Sequence, residues 1–272
     1  MSTPLEVWVN GKAVANSKAA LDVMDRGLNY GDGLFETTLI RSGQIRFIDS
    51  HLARLREGCK RLRLSCPDRA LLEEIVQIAS TTQEGILKIV LTRGSAGRGY
   101  RPDPNTESTR ILSLYPMPSS HAVSGLRLRW CEMRLSRNER LAGLKHLNRL
   151  EQVLAQSEWQ PEEADEGLMM DTAGEVVCAT AANLFVVREG VLITPDLRYC
   201  GVEGVMRAQV LRAAEALHLS VSVEPIWPDD LRHSSELFIT NAVRGIRSVA
   251  SLSDIEWTST AVADRLRTWL KL

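Results

Sequence analysis

The sequence predicts an α+β protein of two domains, and three observations carry that prediction. Strand-like and helix-like apolar segments are interleaved along the 272 residues without a regular β-α-β alternation. No internal repeat or low-complexity tract overrides this pattern. One breaker cluster, Pro116 to His121 (PMPSSH), interrupts the chain near its middle. These place a small α+β domain at 1–115, a linker at 116–122 and a larger α+β domain at 123–272 that carries Lys145.

The elements follow in order. Leu5 to Val9 reads as a strand turning at Asn10 and Gly11, and Leu34 to Ile40 and Ile45 to Ile48 read as strands about a Ser42-Gly43 turn. His51 to Leu64 predicts a helix with Leu52, Leu55, Cys59 and Leu62 on one stripe; Asp68 caps a second with Leu71, Leu72, Ile75 and Ile78 inward. Ile86 to Thr92 and Arg110 to Tyr115 return as strands. Beyond the linker, strands are expected near 126–133, 167–171, 176–178, 184–187, 191–194 and 237–240, with a hairpin at Glu189-Gly190. Helices are expected at 146–158, 204–218 and 260–270.

Composition narrows the partners. Lys plus Arg at 33 against Asp plus Glu at 34 leaves a net charge of −1, which gives no electrostatic case for nucleic acid or acidic membranes and points to a small-molecule partner. No apolar run approaches the roughly 18 residues of a membrane span. The N-terminus lacks the basic start and apolar core of a secretory signal, so a cytoplasmic location is expected. The five cysteines include no Cys-x-x-Cys pair and the five histidines no His-x-x-x-His pair, which argues against disulfides, zinc and other metals.

Lys145 stands out. It lies between Leu144 and Leu147 at a glycine-marked junction, ahead of an apolar series of Leu147, Leu150, Val153 and Leu154 at helical spacing. Partial burial would favour a neutral, nucleophilic amine, as Schiff-base chemistry with pyridoxal phosphate requires. A helix-capping cation with a snorkelling stem is the plainer alternative. Gly201 to Arg207 (GVEGVMR) opens a helix with a glycine turn and would suit a phosphate, or be simply a glycine cap. Arg54, three residues after His51, suits bidentate anion contact, or is one more solvated arginine. Ile239 to Ala242 ends a strand with small hydrogen-bonding residues, where a cofactor clamp is common. The glycine-rich stretch 92–101 (TRGSAGRGYR) lacks a P-loop ending; Arg93, Arg98 and Arg101 could close over a carboxylate, or the stretch be a surface loop. Asp22, Asp25 and Asp32 fit a tight loop better than paired catalytic carboxylates.

With these residues in place, the chain resembles the fold type IV pyridoxal-phosphate enzymes, the branched-chain/D-amino acid aminotransferase-like family, and within them the 4-amino-4-deoxychorismate lyases. The matching segments are 25–36 (DRGLNYGDGLFE), 51–55 (HLARL), 87–100 (LKIVLTRGSAGRGY), 145–154 (KHLNRLEQVL), 181–185 (AANLF) and 240–246 (TNAVRGI), nearly end to end. The resemblance implies a homodimer with its active site between two domains and pyridoxal 5'-phosphate as cofactor. It makes Lys145 the Schiff-base lysine, gives the phosphate to Arg54 and the backbone of Val205 and Met206, and completes the cradle with Asn241 and Ala242. Arg98, on a loop that reaches the partner subunit, with Tyr30 and Arg244, is implied in binding the substrate. The implied reaction converts 4-amino-4-deoxychorismate to 4-aminobenzoate and pyruvate for folate biosynthesis. One position departs: the family's glutamate five residues before the Asn of Asn-Leu-Phe, which pairs with the pyridine nitrogen, is Cys178 here. Glu175 would point to the opposite face of a regular strand. The loss counts more against a branched-chain or D-amino acid aminotransferase than against a lyase whose product gains aromaticity. A non-catalytic cofactor-binding relative is the remaining alternative.

Overall fold

The computed structural model describes residues 3–15, 20–117 and 125–272. Two units emerge, Met1–Ser119 with Leu144–Asn148, and Ser120–Gly143 with Arg149–Leu272. This division differs from the expected one in giving Lys145 to the first unit; the expected linker lies, from residue 118 on, outside the described residues.

In the first unit β1 (Glu6–Val9) turns at Asn10 and Gly11 into β2 (Lys12–Val14). The short α1 (Arg26–Tyr30) follows, capped by the Asp25 carboxylate on Gly27 N at 2.8 Å. The expected tight loop is thus a capped helical turn. Next come β3 (Gly33–Arg41), β4 (Gln44–Ile45), α2 (Ile48–Leu62), α3 (Asp68–Thr81), β5 (Glu84–Thr92) and β6 (Thr109–Tyr115). The sheet is antiparallel in the order β2-β1-β6-β5-β3-β4. The strand expected at 45–48 ends early, because Phe47 takes a left-handed conformation and Ile48 starts α2. Strand alternation puts Leu34, Ile40, Leu87, Ile89 and Leu91 in one core with Leu52, Leu55 and Cys59 of α2 and Leu71 and Ile75 of α3. Leu72, expected inside, is exposed.

Residues 144–148 are not helical. Phe35 N donates to Lys145 O and Leu147 N to Gly33 O, both at 3.0 Å, and Leu34 bridges His146 antiparallel. The segment is an added edge on β3, and this pairing takes the backbone groups that the expected helix from 146 would have used.

The second unit comprises β7 (Leu126–Trp130), α4 (Leu150–Gln156), β8 (Glu166–Met170), β9 (Val176–Ala179), β10 (Ala182–Arg188), β11 (Val191–Pro195), α5 (Val205–Ala216), β12 (Val221–Glu224), α6 (Pro228–Arg232), β13 (Glu236–Asn241), β14 (Gly245–Leu252), β15 (Ile255–Glu256) and α7 (Ala261–Leu270). The path β10-β13-β14-β7-β8-β9 closes on itself because β9 also pairs β10, through Ala182 with Ala179 and Asn183 with Cys178. Closure removes two sheet edges. Leu128, Leu168, Val176, Leu184, Ile239 and Val249 lie in its main core. The apolar series on α4 is exposed: Leu150, Val153 and Leu154 are 68%, 60% and 47% exposed, and Ala155 is the buried residue of that helix.

Candidate active site

In the first unit the Lys145 side chain is half-buried and its Nζ lies 4.1 Å from the centre of the Phe35 ring. The pairing of 144–148 with β3 puts Lys145 across from Phe35, so the amine rests on an aromatic face that shields one side of it from water.

On the α2 side of β3, Glu36 holds two side chains of α2. Arg54 grips it with both ends of its fork, Nε to Oε1 at 2.7 Å and Nη2 to Oε2 at 2.5 Å, and His51 Nδ1 meets Oε2 at 2.7 Å. The 51 and 54 spacing places both on one helical face, as the sequence predicts; the partner on the strand was not anticipated, and its signal is a glutamate among apolar residues on the inward face of β3. Burial alone would push the Glu36 carboxyl up, but the Arg54 charge and the hydrogen bonds from His51 and Arg54 carry it below the ordinary range. His51 is buried, and its Nε2 makes no hydrogen bond among the described residues. A buried orphan nitrogen next to an oriented guanidinium is a setting that fits an anion.

Arg93, expected to reach a substrate carboxylate, does not. It is bound by Asp32 and by the carbonyls of Leu62 and Arg63, and so ties β5 to the end of α2. Burial pushes the Asp32 carboxyl up, but hydrogen bonds and charge from Arg93 and Arg26 bring it net below its ordinary value. Arg98 and Arg101 are exposed on the loop beyond, with Tyr30 next to that loop, its hydroxyl 3.3 Å from Gly99 N.

In the second unit, Gly204 caps α5 in an extended conformation and supplies no side-chain cap, so the first N–H groups of the helix, at Val205 and Met206, face the helix entrance uncapped by a side chain. A Cβ at Gly204 would lie 2.0 Å from Asn183 Oδ1, which explains glycine there. Asn183 in turn fixes the approach by donating to Val202 O at 2.8 Å. A helix N-terminus with a close-packed glycine fits a phosphate.

Asn241 works differently from the expected clamp. Its Oδ1 accepts from Val243 N and Arg244 N at 3.2 and 2.8 Å, and Nδ2 donates to Ala181 O at 3.2 Å. The side chain thus shapes the turn that carries Ala242 and Arg244.

Cys178 is buried opposite Asn183 across the pair that closes the sheet. Burial first, then Cys200, push its thiol up to about 12 against the pull of nearby Arg149, so it stays neutral near pH 7. Glu175 is not a substitute, since it pairs with Arg137 at 2.7 Å. Arg149 beside the thiol is a residue that sequence reasoning missed.

The family model described as amino-transferase class IV matches residues 33–252. An aminodeoxychorismate lyase of Vibrio harveyi is 32% identical over 250 residues, covering 90% of this chain and 91% of the relative. The crystal structure of 4-amino-4-deoxychorismate lyase from Pseudomonas aeruginosa superposes with a TM-score of 0.93 at 41% identity, covering 97% of this chain and 98% of that one. A T.th. branched-chain amino acid aminotransferase with pyridoxamine 5'-phosphate, 24% identical, shares the fold with a TM-score of 0.87 over 100% and 94% of the two chains. The chain belongs to the amino-transferase class IV family.

Proposed function

We infer that this chain is a pyridoxal 5'-phosphate enzyme, a lyase that converts 4-amino-4-deoxychorismate to 4-aminobenzoate and pyruvate. The reading rests on one observation above the others: the Lys145 amine is held on the Phe35 ring by an edge strand in a chain 41% identical to a 4-amino-4-deoxychorismate lyase over nearly its full length. Each unit has a feature of its own that fits a phosphate. Arg54, fixed by Glu36, would hold it by side chain, and Val205, Met206 and Ala242 by backbone N–H, with Asn241 shaping the turn.

Bound there, the cofactor supplies an electron sink for a carbanion next to the substrate's nitrogen. Lys145 Nζ is the amine that would hold the cofactor and, once free, the base that would take the proton from the amine-bearing ring carbon of the substrate. As that proton leaves, the ring's C–O bond to the enolpyruvyl group breaks and the ring becomes aromatic. Lys145 returns the proton to the departing enolpyruvate, which is released as pyruvate, and no net electrons are gained or lost. Aromatisation drives the step, so a neutral Cys178, at the position where the family pairs a glutamate with the pyridine nitrogen, would suffice where a transaminase would want a carboxylate. Arg98 and Arg244, with Tyr30, would meet the two substrate carboxylates.

A homodimer in the cytoplasm is the form we assign. Val23 and Leu28 in the first unit are 74% and 66% exposed, and α4 turns the apolar series described above outward in the second; exposed apolar side chains of this kind support a subunit contact. Among the described residues no helix is long and apolar enough to cross a membrane.

The deciding experiment incubates the protein with pyridoxal phosphate and enzymatically generated 4-amino-4-deoxychorismate. Equal release of 4-aminobenzoate and pyruvate supports the lyase. Glutamate formed from 2-oxoglutarate with branched-chain or D-amino acids, and no 4-aminobenzoate, replaces it with an aminotransferase. Bound cofactor with neither turnover would mean a non-catalytic relative.

A further inference from the structure

Arg26 is an unusual surface-helix residue. It belongs to the five-residue α1, whose other members are not buried, yet its own side chain is 4% exposed. Each nitrogen of the guanidinium donates: Nε to Asp32 Oδ2 at 2.9 Å, Nη1 to Gly99 O at 2.8 Å and Nη2 to Tyr100 O at 3.0 Å. Its plane lies over the Tyr30 ring, 4.8 Å from the centre. Tyr30 also packs against Tyr100, with ring centres 5.5 Å apart, and its hydroxyl accepts from Gly99 N.

These contacts act on one stretch of backbone, the loop between β5 and β6. Arg98 there is flanked by Gly97 and Gly99, neither of which has a neighbour within 4 Å of where a Cβ would be, and Gly99 has φ +103°. Such a stretch is intrinsically loose, and ordering each residue costs about 1–2 kcal/mol of backbone entropy. Arg26 and Tyr30 meet that cost by gripping only main-chain atoms and the Tyr100 ring face. The Arg98 and Arg101 side chains stay exposed on a loop that is nevertheless fixed.

A buried cation spent on fixing an exposed cationic loop has a purpose in presentation. We propose that Arg26 is the positioning residue that holds the 98–101 loop ready, and that it sets affinity for the anionic substrate through Arg98 and Arg101 without entering the bond-breaking step. The substrate part rests on the lyase reading; the latch itself does not. Asp32 is the hinge of the arrangement, since it also binds Arg93 and so anchors the latch to β5. Lysine cannot replace Arg26, because one ammonium cannot reach the carboxylate and both carbonyls in the planar fork geometry.

The test uses full-length holoenzyme with Arg26→Met, Arg26→Lys and Tyr30→Phe. Tryptic cleavage after Arg98 reads the latch, and steady-state turnover of 4-amino-4-deoxychorismate reads its use. Loss of charged hydrogen bonds of this kind predicts cleavage faster by about tenfold or more in both Arg26 variants. Tyr30→Phe, which removes one acceptor from the loop and leaves the buried cation in place, shows a smaller increase and covers the case of a misfolded Arg26→Met. KM should rise by about tenfold with kcat within about threefold of the parent, because the loss falls on binding and not on the chemical step. Parental cleavage rates in all three variants overturn the latch. Fast cleavage with an unchanged KM, or a fall in kcat alone, overturns the link to substrate. Absence of turnover in the parent protein would remove the lyase reading, while the cleavage rates would still decide the latch.

Discussion

Replacing Glu36 by Gln tests the most concentrated piece of electrostatics in the chain. The carboxylate is 2% exposed and accepts three hydrogen bonds, two from the Arg54 fork and one from His51. Glutamine keeps the shape but removes the charge and turns one acceptor into a donor that faces a guanidinium. Breaking a buried ion pair from one side costs about 3–5 kcal/mol, because the partner is left unpaired. With roughly 2–4 °C per kcal/mol for a chain of this size, the unit containing α2 should melt about 6–20 °C lower. The pH dependence has a definite sign. The folded-state Glu36 pKa lies below the ordinary glutamate value, so the unfolded chain takes up the proton first and acid favours unfolding. The stabilisation is complete above the ordinary glutamate pKa and is lost as pH falls through the lower folded value. Urea unfolding of parent and Glu36→Gln from pH 7 to pH 3 should therefore show a gap that closes on acidification. Arg54→Met added to Glu36→Gln should cost less than Arg54→Met alone. A variant within about 0.5 kcal/mol of the parent at pH 7, or a gap that widens in acid, would refute this account. A ligand readout accompanies it: affinity for pyridoxal phosphate should fall in Glu36→Gln while affinity for phosphate-free pyridoxal is kept, and a parallel loss of both would separate Glu36 from the phosphate.

Three further outcomes follow from the site and surface. Lys145→Ala should abolish borohydride trapping of cofactor on the protein; trapping that persists would move the covalent bond to another amine. Cys178→Glu should red-shift the absorbance of the bound cofactor by stabilising a protonated ring nitrogen, and an unchanged spectrum would place that residue elsewhere. Val153→Asp should convert a dimer into a monomer by light scattering at micromolar concentration, since it puts a charge in an apolar contact; a dimer of unchanged stability would remove α4 from the interface.

Much of this was legible in the sequence because short-range rules govern it. The Asn10-Gly11 turn, the stripe of Leu52, Leu55 and Cys59, the α5 start at Gly204 and the strands at 86–92 and 110–115 depend on local spacing, and the structure has them. The segment after Gly143 was misread for a physical reason. Its apolar spacing is helical, but residues 144–148 are taken by pairing with β3, a contact that no local pattern reveals, and the remaining stripe on α4 faces outward. The arginines were legible as cations but not as partners. Arg54, Arg93 and Arg26 look alike in a string, and only the fold separates an arginine clasped by a buried carboxylate from one tying strand to helix and one gripping a loop.

The edge that Lys145 brings to β3 also dictates an order of assembly. Phe35 N and Gly33 O find their hydrogen-bond partners in residues 145 and 147, so a nascent chain that has just emitted β6 already has every strand of its first sheet except the edge that Lys145 brings. That unit must wait, with part of one margin unpaired, until a much later stretch leaves the ribosome. A fragment ending at residue 119 would carry the same open margin permanently and should self-associate there, whereas supplying 144–148 as a separate peptide would close it.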